Sequence, residues 1–215
     1  MMKQTIRSSS LSTKVAALSG LLTLLALLSA CASTSSSQSF DFGTSLLSSN
    51  ASQLQLKGVK WIIADIRIPA SLDGNAMLYR LNYDNPQELK PYALSRWSAA
   101  PAQLLTLRLK QAINQAGGAA ISATDGIKDV PQLRIELDEF AQHFSTIQRS
   151  QARIQLRVGL VHKNNLLAQK SFVSSVDVAT PDAKGGAAAM SRASDQIIEQ
   201  ILLWAQQEQQ SAKMP

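Results

Sequence analysis

The chain has 215 residues, 45% of them hydrophobic and 17% charged, which is enough apolar material for one sizeable core or two small ones. Its formal charge is +6, but Lys3, Arg7 and Lys14 stand in a leading segment without acids, and the remainder carries 18 bases against 15 acids. No Lys/Arg cluster remains to track a phosphate backbone, which sets nucleic-acid binding aside, and a single cysteine excludes an internal disulfide and a cysteine-rich zinc site.

In chain order, a basic stretch, Met1–Lys14, precedes the uncharged run Val15–Leu28. That run is 14 residues long, and a helix needs about 20 to cross the hydrocarbon core. It reads as the apolar region of a signal peptide, residues 1–30. Leu28-Ser29-Ala30-Cys31 follows, with an aliphatic residue and two small ones before the only cysteine. This is a lipobox. The chain is expected to be cut before Cys31, whose thiol takes a diacylglyceryl group and whose amine takes an acyl chain. One acyl chain binds a membrane marginally, whereas several make dissociation negligible. The residue after Cys31 is Ala32 and not the Asp that marks inner-membrane retention. The expected address is therefore the periplasmic face of the outer membrane. Residues 31–39 read as the lipidated cysteine and a flexible Ser-rich tether. Its nine steps to Phe40 reach about 30 Å when stretched, so the folded part stays near its membrane and needs a partner to act across the periplasm.

A domain is expected over 40–208. Gly58–Ile68 reads as a strand, Met77–Tyr83 as a second and Pro91–Trp97 as a third, with turns at Ser71–Asn75 and Asp84–Glu88. Pro101 suits the first position of a helix. Ala102, Leu105, Leu109, Ala112, Ile113 and Ala116 share one face of it, and Gly117-Gly118 ends it. Gln132–Phe144 alternates as a strand until Phe140 breaks parity, which predicts a bulge near Glu139. Ala152 to Leu160 alternates cleanly, Lys163–Asn165 makes a tight turn, and Gln169–Val178 is the partner strand. Asp182 caps a last amphipathic helix carrying Met190, Ala193, Ile197, Ile201 and Trp204. Residues 209–215 form a polar tail, with fraying expected from Gln206. The pattern predicts an α+β fold: a two-layer domain, with a mostly antiparallel or mixed sheet and two main helices on one face.

No nucleophile elbow, P-loop or dinucleotide fingerprint occurs, so no catalytic residue, metal ligand or cofactor site is expected and the protein is read as a non-enzyme. Glu136, Asp138 and Glu139 form the densest acidic group. They read as a solvated strand face with Arg134 and Arg153 beside it. His143 and His162 have no motif tying them to a serine, and His143 reads as structural or surface.

Several stretches together resemble one family. Phe40-Asp41-Phe42-Gly43 is similar to the Tyr-Asp-Leu-Gly opening of the ABC-type transport auxiliary lipoproteins, which include the paraquat-inducible protein C-like lipoproteins. Tyr92–Pro101 (YALSRWSAAP) resembles their Tyr…Arg-Trp…Pro segment. Glu139-Phe140, then Ser150-Gln151-Ala152, resembles their strand pair, and Asp182-Ala183 and Trp204 match the ends of their last helix. His143 departs from the pattern, which has an apolar or small residue there. The resemblance implies an outer-membrane accessory that docks with a mammalian-cell-entry (MCE) domain protein and its ABC permease and ATPase. It also implies cargo of phospholipids or other hydrophobic molecules, no catalysis and no cofactor beyond the covalent lipid. Arg96 and Trp97 have two readings: a partner-interface hot spot, since Arg and Trp are enriched there, or a core tryptophan beside a paired arginine. A homo-oligomer is compatible with the residues and not required by them. The alternative function is a structural envelope lipoprotein that binds another periplasmic assembly or peptidoglycan.

Overall fold

The computed structural model describes residues 36–44 and 54–212. The expected signal segment and the expected lipidation residue, Cys31, lie outside the described residues. In order come β1 (Gln38–Phe40), β2 (Lys60–Ile63), β3 (Ala76–Leu81), β4 (Asn85–Trp97), α1 (Pro101–Gln115), β5 (Ala119–Ser122), β6 (Gln132–Thr146), β7 (Arg149–His162), β8 (Asn165–Asp177) and α2 (Ala183–Ser211).

The expected α+β class is the observed one, and the sheet is mixed. Strand β6 is its spine. Along one edge it pairs antiparallel with β7 from Gln132↔Val161 to Thr146↔Arg149, and β8 lies beyond β7. The other edge forks. Its start takes β2 in parallel at Ile62↔Gln132, and its end takes β3 in parallel at Tyr79↔Gln142 to Leu81↔Phe144. One bridge, Arg67↔Glu136, lies between the two branches. β5 extends the β2 branch; β4 and then β1 extend the β3 branch.

Alternation explains which face is covered. Ala152, Ile154, Leu156, Val158 and Leu160 of β7 point inward and are buried. Met190, Ala193, Ile197, Ile198, Ile201 and Leu202 of α2 are buried in the same core cluster. Each buried Ile or Leu contributes roughly 1.5–3 kcal/mol. Trp204 meets Phe172 edge-on at 5.7 Å. The bulge predicted near Glu139 is present as a register shift between Leu137 and Glu139. It returns Phe140 to the inside, against Trp97 at 5.5 Å and Phe42 at 6.1 Å.

The helix ends follow local chemistry. Gly185 N–H donates to Asp182 Oδ1 at 2.7 Å, capping α2. Gly117, at φ +82°, turns the chain out of α1. Gly186 answers a close approach: a Cβ there would lie 2.0 Å from Gln142 Oε1. That buried amide accepts from Tyr92 Oη at 3.0 Å and donates to Ser150 Oγ at 2.9 Å. Burial pushes the Tyr92 phenol well above its ordinary value.

The structure revises several boundaries. The expected strand Gly58–Ile68 pairs continuously only over Lys60–Ile63, then bulges. Ala64 N–H reaches Leu133 O and Arg67 N–H reaches Ile135 O, with Ile66 turned into the core between them. The turn expected at Asp84–Glu88 is tighter, at Asn82–Asp84, and β4 starts at Asn85. Pro86 is tolerated because β1 covers only the far end of β4, Ser95–Trp97. β1 starts within the stretch read as tether. The expected tail is helical to Ser211, because Gln209 is buried and accepts from Trp61 Nε1 at 2.7 Å. Gln206 Nε2 also donates to Gln55 O at 2.8 Å.

Candidate functional site

Arg96 and Trp97 part company. Trp97 is 2% exposed, with Phe42 edge-on at 5.7 Å, so it is a core residue and presents no surface to a partner. Arg96 is exposed, and its Nε donates to Ser37 Oγ at 3.1 Å, with Nη2 on the same oxygen. Both residues hold the start of the folded chain, since Ser39 pairs with Arg96 and Phe40 with Trp97.

The next residues are held by a cluster that the periodicity of α1 does not announce. Asp41 Oδ1 accepts from Gly43 N–H at 2.8 Å, a turn in which Gly43 takes φ +61°. The turn presents backbone carbonyls to Arg108 of α1. Arg108 Nη1 donates to Gly43 O at 2.9 Å, and Nη2 donates to Phe42 O at 3.3 Å and Thr44 O at 3.4 Å. Its Nε and Nη2 also grip Asp195 of α2, at 2.7 Å to Oδ1 and 3.0 Å to Oδ2. Ser191 Oγ donates to Phe42 O at 2.6 Å. The signal in sequence is a charged residue on an apolar helix face, between Leu105 and Ala112. Its partner, 87 residues away, had none.

The helix-free face of the sheet carries a second ionic system. Arg67 and Arg157 both reach Glu136, the latter at 3.2 Å, and Arg157 lies 3.7 Å from Asp138. Glu139 takes His143 Nε2 at 2.8 Å, Arg153 Nε at 2.9 Å and Arg80 Nε at 3.8 Å. The hydrogen bond from His143, seconded by Arg153, holds the Glu139 carboxyl below its usual value against partial burial. The acidic group is thus a solvated, arginine-paired strand face. Among the described residues, no three His, Cys, Asp or Glu side chains converge to hold a metal ion.

Arg134 differs from its neighbours: its Nε donates to Gln132 Oε1, an amide oxygen, at 3.1 Å. It sits across from Gly159, which Gln169 flanks on the other side. The missing side chain at Gly159 leaves a hollow of about 220 Å³ lined by Arg67, Arg134, Glu136, Arg157, Leu166 and Gln169. A second hollow of about 470 Å³ adjoins it, lined by Ile127, Lys128, Arg134, Val161, Lys163 and Asn164 among others. Ile127 and Leu166 are 49% and 59% exposed. The two hollows thus set the apolar Ile127 and Leu166 among Arg134, Lys128 and Lys163, with the carboxylates Glu136 and Asp129 also in the lining, and the basic excess suits a partner surface that is acidic at its rim and apolar at its centre. Nothing in the sequence singled out this end, because β2, β6, β7, β8 and the loops beside them build it together.

A family model for the ABC-type transport auxiliary lipoprotein component matches residues 46–202. Comparison with curated proteins gave no match. Among solved structures, a Xanthomonas campestris protein is similar at a TM-score of 0.73 and 18% identity, over 82% of this chain and 99% of that one. A second, uncharacterized protein is similar at 0.60 and 13%, over 78% and 97%. At these identities the likeness shows the shared fold.

Proposed function

The chain belongs to the family of ABC-type transport auxiliary lipoprotein components, and from that premise we propose that it is a docking subunit of an intermembrane transport system. It is held by acyl chains on Cys31 at the periplasmic face of the outer membrane, as the absence of Asp at position 32 suggests. It acts by binding and not by catalysis. Its partner is an MCE-domain protein served by an ABC permease and ATPase, and the cargo is a phospholipid or another hydrophobic solute. Several copies around one partner are compatible with this reading.

The observation that carries the proposal is the family match, which runs through nearly all of the described fold. The end of the sheet around Arg134, Lys128, Lys163, Ile127 and Leu166 is the surface assigned to the partner. Rim charges chiefly raise the association rate and its salt dependence, while the apolar centre sets the dissociation rate.

The test is co-purification of the MCE protein with the full-length lipoprotein from solubilised envelopes. Recovery is expected from the wild type, to weaken with added salt for the wild type, and to be lost in Ile127→Asp/Leu166→Asp. Arg134→Glu should lose most of it. Undiminished recovery in all variants would reject this surface. Failure of the wild type to recover an expressed partner would reject the docking role.

A further inference from the structure

We infer that the opposite end of the sheet, where the β3–β4 and β6–β7 turns meet, rests on the lipid surface of the membrane that holds the anchor. The inference rests on the lipoprotein reading and on strand direction, and it is independent of which partner is bound.

Strand β1 runs parallel to β4 and antiparallel to β3. Followed backwards from Gln38, β1 therefore points toward the end of the sheet where β3 turns into β4. Asn82 N–H donates to Phe144 O at 2.9 Å, so the β3–β4 and β6–β7 turns lie at this same end. Both turn tips carry large apolar side chains: Tyr83 is 46% exposed and Ile147 is 70% exposed. No core demands these residues there, and polar residues are the usual choice in turns. A tyrosine is well suited to the interfacial layer of a bilayer.

Distances favour this end and exclude the other. Ser39 is level with Arg96, and Arg96 with Ala76. From that level Tyr83 lies about 23 Å along the strand, so Ser37 lies about 16 Å short of the turns. The six links from Cys31 to Ser37 span up to about 20 Å. The acylated cysteine reaches the plane of the turns without strain. On β6 the level of Ser37 falls near Ala141, through the pairing of Tyr79 with Gln142. From there Gln132 lies about 30 Å away in the other direction, beyond the tether. The end bearing Ile127 and Lys163 therefore faces away from the anchoring membrane, where a partner can approach it.

The experiment uses the full lipidated protein in vesicles of phosphatidylethanolamine and phosphatidylglycerol. The thioether consumes the Cys31 thiol, so single cysteines introduced as Tyr83→Cys, Ile147→Cys and Ile127→Cys can each carry an environment-sensitive dye. Dyes at 83 and 147 are expected to shift to the blue and lose emission to spin-labelled lipid, while the dye at 127 does neither. Quenching at 127 without quenching at 83 and 147 would overturn the orientation, and so would quenching at none. Asn82→Cys and Gln148→Cys report on the same tips if a first variant fails to fold. Vesicle flotation of the unlabelled protein reads the anchor separately. Protein left unfloated removes the lipoprotein premise and the inference with it, whereas floated protein with water-exposed turns overturns the inference alone.

Discussion

Arg108 and Asp195 meet where their side chains keep 3% and 10% of their exposure, whereas Arg67 and Arg157 meet Glu136 on the open sheet face with the arginines at 71% and 43%. The chemistry is the same in both places. The surroundings differ, and so does what each pair can do. On the open face water competes for every charge, and such a pair contributes about 0–1 kcal/mol. Its value lies in keeping a long strand face soluble and in leaving Arg134 and its neighbours available to a partner. At the helix junction water is excluded, and Arg108 also satisfies three backbone carbonyls at residues 42–44. That cluster ties the first residues after the tether to both helices. It lies just behind the pairing of β1 with β4, which holds the start of the described fold.

The comparison breaks most clearly at Arg108. Arg108→Ala takes the guanidinium away from the buried Asp195 carboxylate and from three backbone carbonyls, and should cost about 3–5 kcal/mol, read as a fall in the urea midpoint with the slope unchanged. A loss under about 1 kcal/mol would mean that the junction is as wet as the outer face. The double replacement Arg108→Met/Asp195→Leu sharpens the point, since an apolar pair of similar volume often matches a buried ion pair. It should recover the share due to the broken ion pair and leave the share due to the carbonyls at 42–44. Next in size, Arg157→Ala should change stability by no more than about 1 kcal/mol, with any effect fading in high salt.

The smallest effect concerns pH. The Glu139 carboxyl is held below its usual 4.5, first by His143 and then by Arg153. A carboxyl whose folded value is depressed contributes stability that is fully present above its unfolded value and lost as pH falls through the folded one. The gap in stability between wild type and Glu139→Gln should therefore shrink as pH falls below about 4.5. Denaturation curves at pH 6 and pH 3.5 would show it, and a gap that does not change would sink the assignment.

Much of the covered layer was legible in advance. The alternation from Ala152 to Leu160 set the inner face of β7, and Phe140 out of parity announced the bulge. Asp182, Pro101 and Gly117-Gly118 marked helix ends through capping chemistry that acts over a few residues. Ala119–Ser122 was not legible as β5, because so short a run, Ala-Ala-Ile-Ser, becomes a strand only when Trp61 and its neighbours lie alongside. The polar tail was read as frayed because its buried contacts, Trp61 and Gln55, are far away in sequence. Trp97 had two readings from its neighbours alone, and packing against Phe42 and Phe140 decided for the core.

The sequence by itself determined the class of fold and the family, and it carries the lipobox pattern at Cys31 on which the proposed anchor rests. These are local matters: an apolar run, a lipobox, alternation and caps each act within a few residues. Tertiary structure decided that β1 points back toward the end of the sheet where β3 turns into β4, where Arg108 finds its carboxylate, and that Arg134, Ile127 and Leu166 share one surface. Those depend on pairing β1 with β4 and on forking β6 between two branches, and such contacts join residues that no window of sequence places together.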